Sequence, residues 1–235
     1  NEGYFNHNVE SVRLLMNLEN KGFGKNITLQ VLDGILCHNG ELELQEYRPK
    51  KKTKETFLEE YERTYTEKDF VKTLVPMTLE GCVVRVSDII AYLGKDIEDA
   101  RILGIIKEED IPINIRQILG VKNREIVNTI IMDLIHNSFG KPYLKLSDDV
   151  FEAIKELKKF NYVNIYDKSL TEEEKNEIIH RYETLFNVFL QDVKNDNRKS
   201  LIFKDFLNYK NEAYQENTSS ERKVIDFLAG MTDDY

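Results

Sequence analysis

Apolar residues recur along most of this chain at helical spacing. Phe5, Val9, Val12, Leu15 and Met16 share one face, so residues 5–21 read as an amphipathic helix closed by the glycines of KGFG. Thr28 is placed to cap a second helix, LQVLDGILCHNG, reaching about residue 38. The pattern then lapses. NGELELQEYRPKKKTKE reads as a long polar connection within 42–70, with strand-like alternation only at LELQEY, 42–47. Thr66 with Asp69 resembles an acidic capping box opening TEKDFVKTL. Residues 79–106 give the longest periodic run, a helix weakened near Gly94. A short element follows Pro112, and NREIVNTIIMDLIHNSFG is a helix ended by Gly140. Ser147 caps LSDDVFEAIKELKKFNYVNIY, whose early acids complement the helix dipole. Thr171 and Glu174 form a capping box before a long helix, and SERKVIDFLAGM is the last one, ending near Gly230. The predicted class is all-α.

Composition narrows the picture. Charged residues make up 32% and apolar ones 41% of the 235 residues, a globular rather than disordered balance. No apolar run approaches the roughly 20 residues of a membrane span. The net charge of −9 argues against a protein that coats nucleic acid, although a local basic patch can still bind phosphate. Cys37 and Cys82 have neither metal nor redox spacing and suit a reducing compartment, so the expected location is cytoplasmic. The opening NEGYFNHNVE is polar, without the basic start of a secretory signal. It has no initiating Met, its helical pattern is running by Phe5, and the chain stops soon after an apolar segment. Both edges are expected to be cuts through a longer protein.

Several polar groups invite a chemical reading. RPKKKTK, 48–54, could meet phosphate, but a charge run of this kind reads first as a solvated, mobile connection. Asp133 and His136 stand three apart on one helix, a spacing that could present two metal ligands. Nothing nearby completes such a site, so a structural role is expected. His180 reads as an exposed or half-buried helix residue, and His38 as a cap for terminal carbonyls. His7 opens a helix beside Asn8, where the positive end of the dipole favours anions and a neutral imidazole suited to acid–base work.

The strongest pattern is VVRVSDIIAYLGKDIEDA. Asp88, Tyr92 and Asp96 stand four apart, and steps of four drift only about 40° around a helix. They line one stripe, with Ala91 leaving room beside it, on a helix apolar enough to be packed on most sides. A buried carboxylate needs a partner. For Asp88, a metal, an arginine or a hydrogen-bond cluster would each serve.

Taken together, FNHNVESVRLL, NITLQVLDGILCHNGE, VVRVSDIIAYLGKDIEDA, LKKFNYVNIY and DFLAGMTDDY resemble the C-terminal part of the bacterial deoxyguanosinetriphosphate triphosphohydrolases, hydrolases of the HD superfamily. The resemblance runs in order over most of the chain. It implies an incomplete HD-type helical bundle at 1–140 and a helical C-terminal layer at 141–235. It implies hydrolysis of a deoxynucleoside triphosphate to deoxynucleoside and triphosphate, a divalent metal cofactor, and a homo-oligomer. It implies that Asp88 is a metal ligand, that Tyr92 packs on the deoxyribose and discriminates against a 2′-hydroxyl, and that Asp96 accepts from the 3′-hydroxyl. His7 matches the histidine beside the phosphates, as proton donor or orienting residue. Lys95 and Arg101 are candidates to neutralise the triphosphate. The family's first metal-binding histidine, its His-Asp doublet and its catalytic His and Glu have no counterpart in these residues. These 235 residues are therefore expected to be inactive alone. The alternatives are a non-catalytic nucleotide-sensing or oligomerisation module, or an HD-type hydrolase of another phosphate ester such as an alarmone.

Overall fold

The structure, a computed structural model, describes residues 3–39, 44–166 and 171–232. Among them the apolar stripes close into eleven α-helices and one two-stranded sheet, an all-α architecture as the pattern predicts. In chain order these are α1 (His7–Arg13), α2 (Glu19–Gly22), α3 (Leu29–Leu36), β1 (Glu46–Tyr47), α4 (Lys54–Thr66) and α5 (Leu79–Ile102). There follow α6 (Ile113–Ile118), α7 (Asn123–Ser138), β2 (Leu144–Lys145), α8 (Asp148–Asn164), α9 (Glu172–Lys194), α10 (Glu212–Asn217) and α11 (Ser220–Ala229). The chain divides into two compact units, Phe5–Val9 with Thr28–Leu170, and Asn1–Tyr4 and Glu10–Ile27 with Thr171–Tyr235.

The larger unit is organised on α5. Thr78 caps it, its Oγ1 accepting from the Gly81 N–H at 3.0 Å. Cys82, Val86, Ile89, Leu93, Ile97 and Ala100 recur at three and four residues and are all buried. They pack against α3, α7 and α8, with Ile115, Ile126, Ile130, Ile154 and Leu157 in the same core. Each fully buried side chain of this size adds about 1.5–3 kcal/mol by leaving water. Strand β1 pairs with β2, Glu46 opposite Lys145 and Tyr47 opposite Leu144. Residues 42 and 43 of the expected alternation lie outside the described residues.

Three expectations are corrected. The polar connection contains a helix, α4, capped by Thr53, whose Oγ1 accepts from the Thr56 N–H. Phe57, Tyr61 and Thr64 form its buried stripe, sparse enough to be masked by the charges around them. Thr66 therefore closes a helix instead of opening one, and Asp69 sits at φ +61°, so the two form no capping box. Helix α5 stops at Ile102, short of residue 106, where Gly104 at φ +70° turns the chain. The helix runs through Gly94 unbroken. A Cβ there would lie 2.4 Å from Asn123 Oδ1 and 3.2 Å from Asn123 Cα, so glycine is what lets α7 come so close.

The basic run RPKKKTK is not wholly solvated. The Lys52 side chain is 0% exposed and its ammonium pairs with Asp33 at 2.7 Å and Glu60 at 2.6 Å. The second oxygen of Asp33 accepts from the Met77 N–H at 2.6 Å. Arg85, also buried, donates to the Leu74 carbonyl at 2.5 Å and lies over the Tyr47 ring.

In the smaller unit, Leu18, Phe189, Ile202, Phe203, Leu207, Val224 and Phe227 form the core. Asp226 is buried there under two arginines and a phenol: Arg13 (2.7 and 3.0 Å), Arg222 (3.0 Å) and Tyr214 (2.8 Å). The capping box before α9 forms as expected, with Thr171 and Glu174 bonded reciprocally.

The Lys52 cluster generates a prediction. Burial works against the ammonium, but the Cys37 sulfur, Asp33 and Glu60 outweigh it, so the Lys52 pKa lies above its ordinary value. Its contribution to stability is complete below the unfolded lysine pKa of about 10.4 and is lost only as pH climbs through the higher folded value. Lys52→Met leaves the Asp33 carboxylate buried without its cation, and urea unfolding at neutral pH should show a loss of about 3–5 kcal/mol.

Candidate functional site

Helix α5 turns the expected stripe away from the core. Asp88 and Asp96 are half-buried, and Tyr92, between them, is 61% exposed. The helix is not packed on most sides as expected: Val83 and Val84 are 48% and 50% exposed, so one face is open. The stripe borders that open face, which is how carboxylates are kept on an otherwise apolar helix at tolerable cost.

The start of α1, which carries His7, is pinned. Asn8, fully buried, donates from Nδ2 to the Leu36 carbonyl at 2.5 Å and ties this turn to the end of α3. At that same end His38 Nδ1 lies 2.5 Å from the Ile35 carbonyl, so the nitrogen carries the proton and donates, as expected for a terminal cap. The His7 and His38 rings meet edge to face, centroids 5.1 Å apart at 78°. Shielding from solvent, then His38, lowers the His7 pKa below its ordinary value, and the Asp88 carboxylate pulls it the other way. His7 is thus held toward the neutral imidazole with a carboxylate close enough to feel it.

From Tyr92 and Asp96 a cleft of about 280 Å³ opens toward α8. Ile89 and Leu93 line it from α5, and Lys158, Asn161, Tyr162 and Tyr166 from α8 and just beyond. The Tyr166 hydroxyl donates to Asp96 Oδ2, and the Tyr162 and Tyr166 rings pack edge to face, 5.4 Å apart. Burial raises the Asp96 pKa above its usual range, Tyr166 counters it, and Asp99 adds to it. Burial, then Asp96, drives the Tyr166 phenol upward, so it stays a donor at any ordinary pH. The cleft offers aromatic faces, carboxylate and amide acceptors and one lysine, which suits a ligand with a flat or apolar body and hydrogen-bond donors.

The other candidates fall elsewhere. Lys95 pairs with Asp99 at 2.5 Å, and Arg101 with Glu108 at 2.9 Å, and neither lines the cleft. Asp133 accepts from the Ser147 N–H and from Asn137, bonds that join α7 to the start of α8, so its role is structural as expected. His180 is exposed on α9. Among the described residues no group of three or more His, Cys, Asp or Glu side chains could hold a metal ion. Asp88 with the nearby histidines does not by itself fit a divalent cation, whose affinity rests on ligand number and geometry. Sequence reading missed Lys158, Asn161, Tyr162 and Tyr166. The four-residue spacing of the two tyrosines at a helix end was the available signal, but nothing in it names α5 as the partner.

Comparison with known proteins adds to this geometry. Residues 144–235 match the phosphohydrolase-associated domain. The chain is 32% identical over 99% of its length to a deoxyguanosinetriphosphate triphosphohydrolase-like protein of Clostridium perfringens strain SM101, of which it covers 58%. It is also 32% identical to proteins of that name from Caldanaerobacter subterraneus subsp. tengcongensis and Clostridium tetani, covering 56% and 57% of them. The resemblance read from the sequence is borne out, and the chain spans just over half the length of these relatives. No helix of the described residues is long and apolar enough to cross a membrane.

The Asp96–Tyr166 bond is open to measurement. Because Tyr166 donates to the carboxylate and so favours its charged form, Tyr166→Phe should raise the Asp96 pKa further. Carbon-detected NMR titration of the Asp96 carboxyl checks this, and an unchanged or lowered value contradicts the bond.

Proposed function

We propose that this chain supplies one wall of the nucleotide site of a hydrolase that converts deoxynucleoside triphosphates to deoxynucleoside and triphosphate. The observation that carries the proposal is the α5 stripe: Asp88 under the influence of His7 at one end, Tyr92 and Asp96 opening into the cleft at the other. The name shared by its relatives supports the same reading. In it, Tyr92 packs against the deoxyribose and leaves no room for a 2′-hydroxyl, and Asp96 accepts from the 3′-hydroxyl. His7 stands at the phosphate end, where a neutral imidazole can orient a reacting group or pass a proton. In the complete protein Asp88 is a ligand of a divalent ion, which would polarise the phosphate when bound.

The residues described here offer too few ligands to hold such an ion, and that favours a second reading for the 235 residues by themselves, a helical nucleotide-sensing or oligomerisation module. A homo-oligomer and a cytoplasmic location belong to the proposal on the same footing, the second supported by two buried free cysteines.

Two experiments separate the readings. Asp88→Ala in the complete protein should cut triphosphate release by about a hundredfold or more and lower the bound metal. Unchanged metal content with an unchanged rate removes Asp88 from the role. The 235-residue polypeptide alone should release no triphosphate from dGTP when divalent ions are supplied, and rapid release would show that its own residues suffice.

A further inference from the structure

Asn161 sits on the α8 side of the cleft, a turn beyond Lys158, and is 1% exposed. Its Nδ2 donates to the Leu93 carbonyl at 3.3 Å. The opposite amide orientation would set two carbonyl oxygens against each other, so this bond fixes which end of the amide faces α5. The other end, Oδ1, is buried and has no hydrogen-bond partner among the described residues. A buried acceptor in that state lowers stability, and a leucine of similar volume would avoid the cost. Across the cleft Asp96 has one oxygen occupied by Tyr166, and Tyr92 and Tyr162 supply aromatic surface. A destabilising acceptor held in the lining of a cleft is what a ligand-binding group looks like before its ligand arrives.

We infer that Asn161 is a further substrate-binding residue, its Oδ1 accepting a hydrogen bond from an O–H or N–H donor of the nucleoside seated in the cleft. The inference rests on the reading that this cleft takes the nucleoside, and it adds a contact from α8 to those from α5. Binding would complete the hydrogen bonding of Asn161, so the group that weakens the empty fold strengthens the occupied one. A purely structural asparagine would behave in the opposite way, with its removal costing stability and leaving affinity alone.

The test uses deoxyguanosine as probe, which carries no phosphates and so needs no metal. Asn161→Leu should leave the melting temperature unchanged or raised while weakening deoxyguanosine binding by about tenfold, the size of one neutral hydrogen bond. In the unaltered chain, titration with deoxyguanosine should shift the Asn161 side-chain amide in nitrogen–proton NMR spectra, a readout that does not depend on the variant folding. Binding that perturbs Tyr92 and Asp96 but leaves the Asn161 amide and the Asn161→Leu affinity unmoved overturns this inference and leaves the proposed site standing. If deoxyguanosine perturbs neither Tyr92 nor Asp96, the reading of the cleft falls and Asn161 with it.

Discussion

How closely α5 can approach its neighbours decides where everything else on it points. Gly34 of α3 and Gly81 of α5 face each other, and a Cβ on Gly81 would stand 2.8 Å from Pro76 Cβ. One end of α5 is therefore seated against α3 with nothing between the backbones, and at Gly94 the other end admits Asn123 of α7. Two close contacts on one rigid helix remove its freedom to roll. Once Val86, Ile89, Leu93 and Ile97 are committed to the core, the stripe of Asp88, Tyr92 and Asp96 has a single direction left. Site geometry here is a by-product of glycine placement in the core.

The same seating explains why this core tolerates buried charge. Asp33 lies on α3 at the level of Gly34, and its two oxygens are taken by Lys52 and by the Met77 N–H just before α5 begins. The carboxylate thus ties α3, the chain entering α4 and the chain entering α5 to one point. An apolar replacement of the whole cluster could be as stable, since buried ion pairs recover little beyond their desolvation cost. What the pair adds is uniqueness: Asp33 has one place to go, and it draws in a segment whose sequence would otherwise leave it in water.

The elements with strong apolar periodicity were legible in the sequence, and so were caps made by neighbours in the chain. Thr171 with Glu174 required only local geometry, whereas Ser147 takes the N-cap position of α8 without its side chain bonding there. Helix α4 escaped because Phe57, Tyr61 and Thr64 are its whole buried stripe, set among charges that outweigh them in any local average. Lys52 escaped for a different reason: its partners are 19 residues back and 8 residues on, and a charge run cannot show which of its members will be desolvated. The stripe itself was visible because both ends lie on one helix. The α8 side of the cleft was not, because Asp96 and Tyr166 are 70 residues apart and only the packing of α5 on α8 brings them together.

Charge then limits what this wall can do. Asp88 and Asp96 are both acidic, and the three basic residues of α5 are committed elsewhere, Arg85 to the Leu74 carbonyl, Lys95 to Asp99 and Arg101 to Glu108. Among the described residues, Lys158 is the one basic side chain lining the cleft. A triphosphate brings several negative charges, and two carboxylates would repel it if they met it unaided. On the proposed reading the stripe therefore divides its labour by position. Its Tyr92–Asp96 end meets the uncharged sugar, where a carboxylate is a good acceptor and its negative charge does no harm. Its Asp88 end meets the phosphates only across a cation, and the neutral state of His7 fits a place where positive charge comes from elsewhere. An acidic stripe is the wrong surface for a bare polyphosphate and a suitable one for the end of a nucleotide that carries no charge.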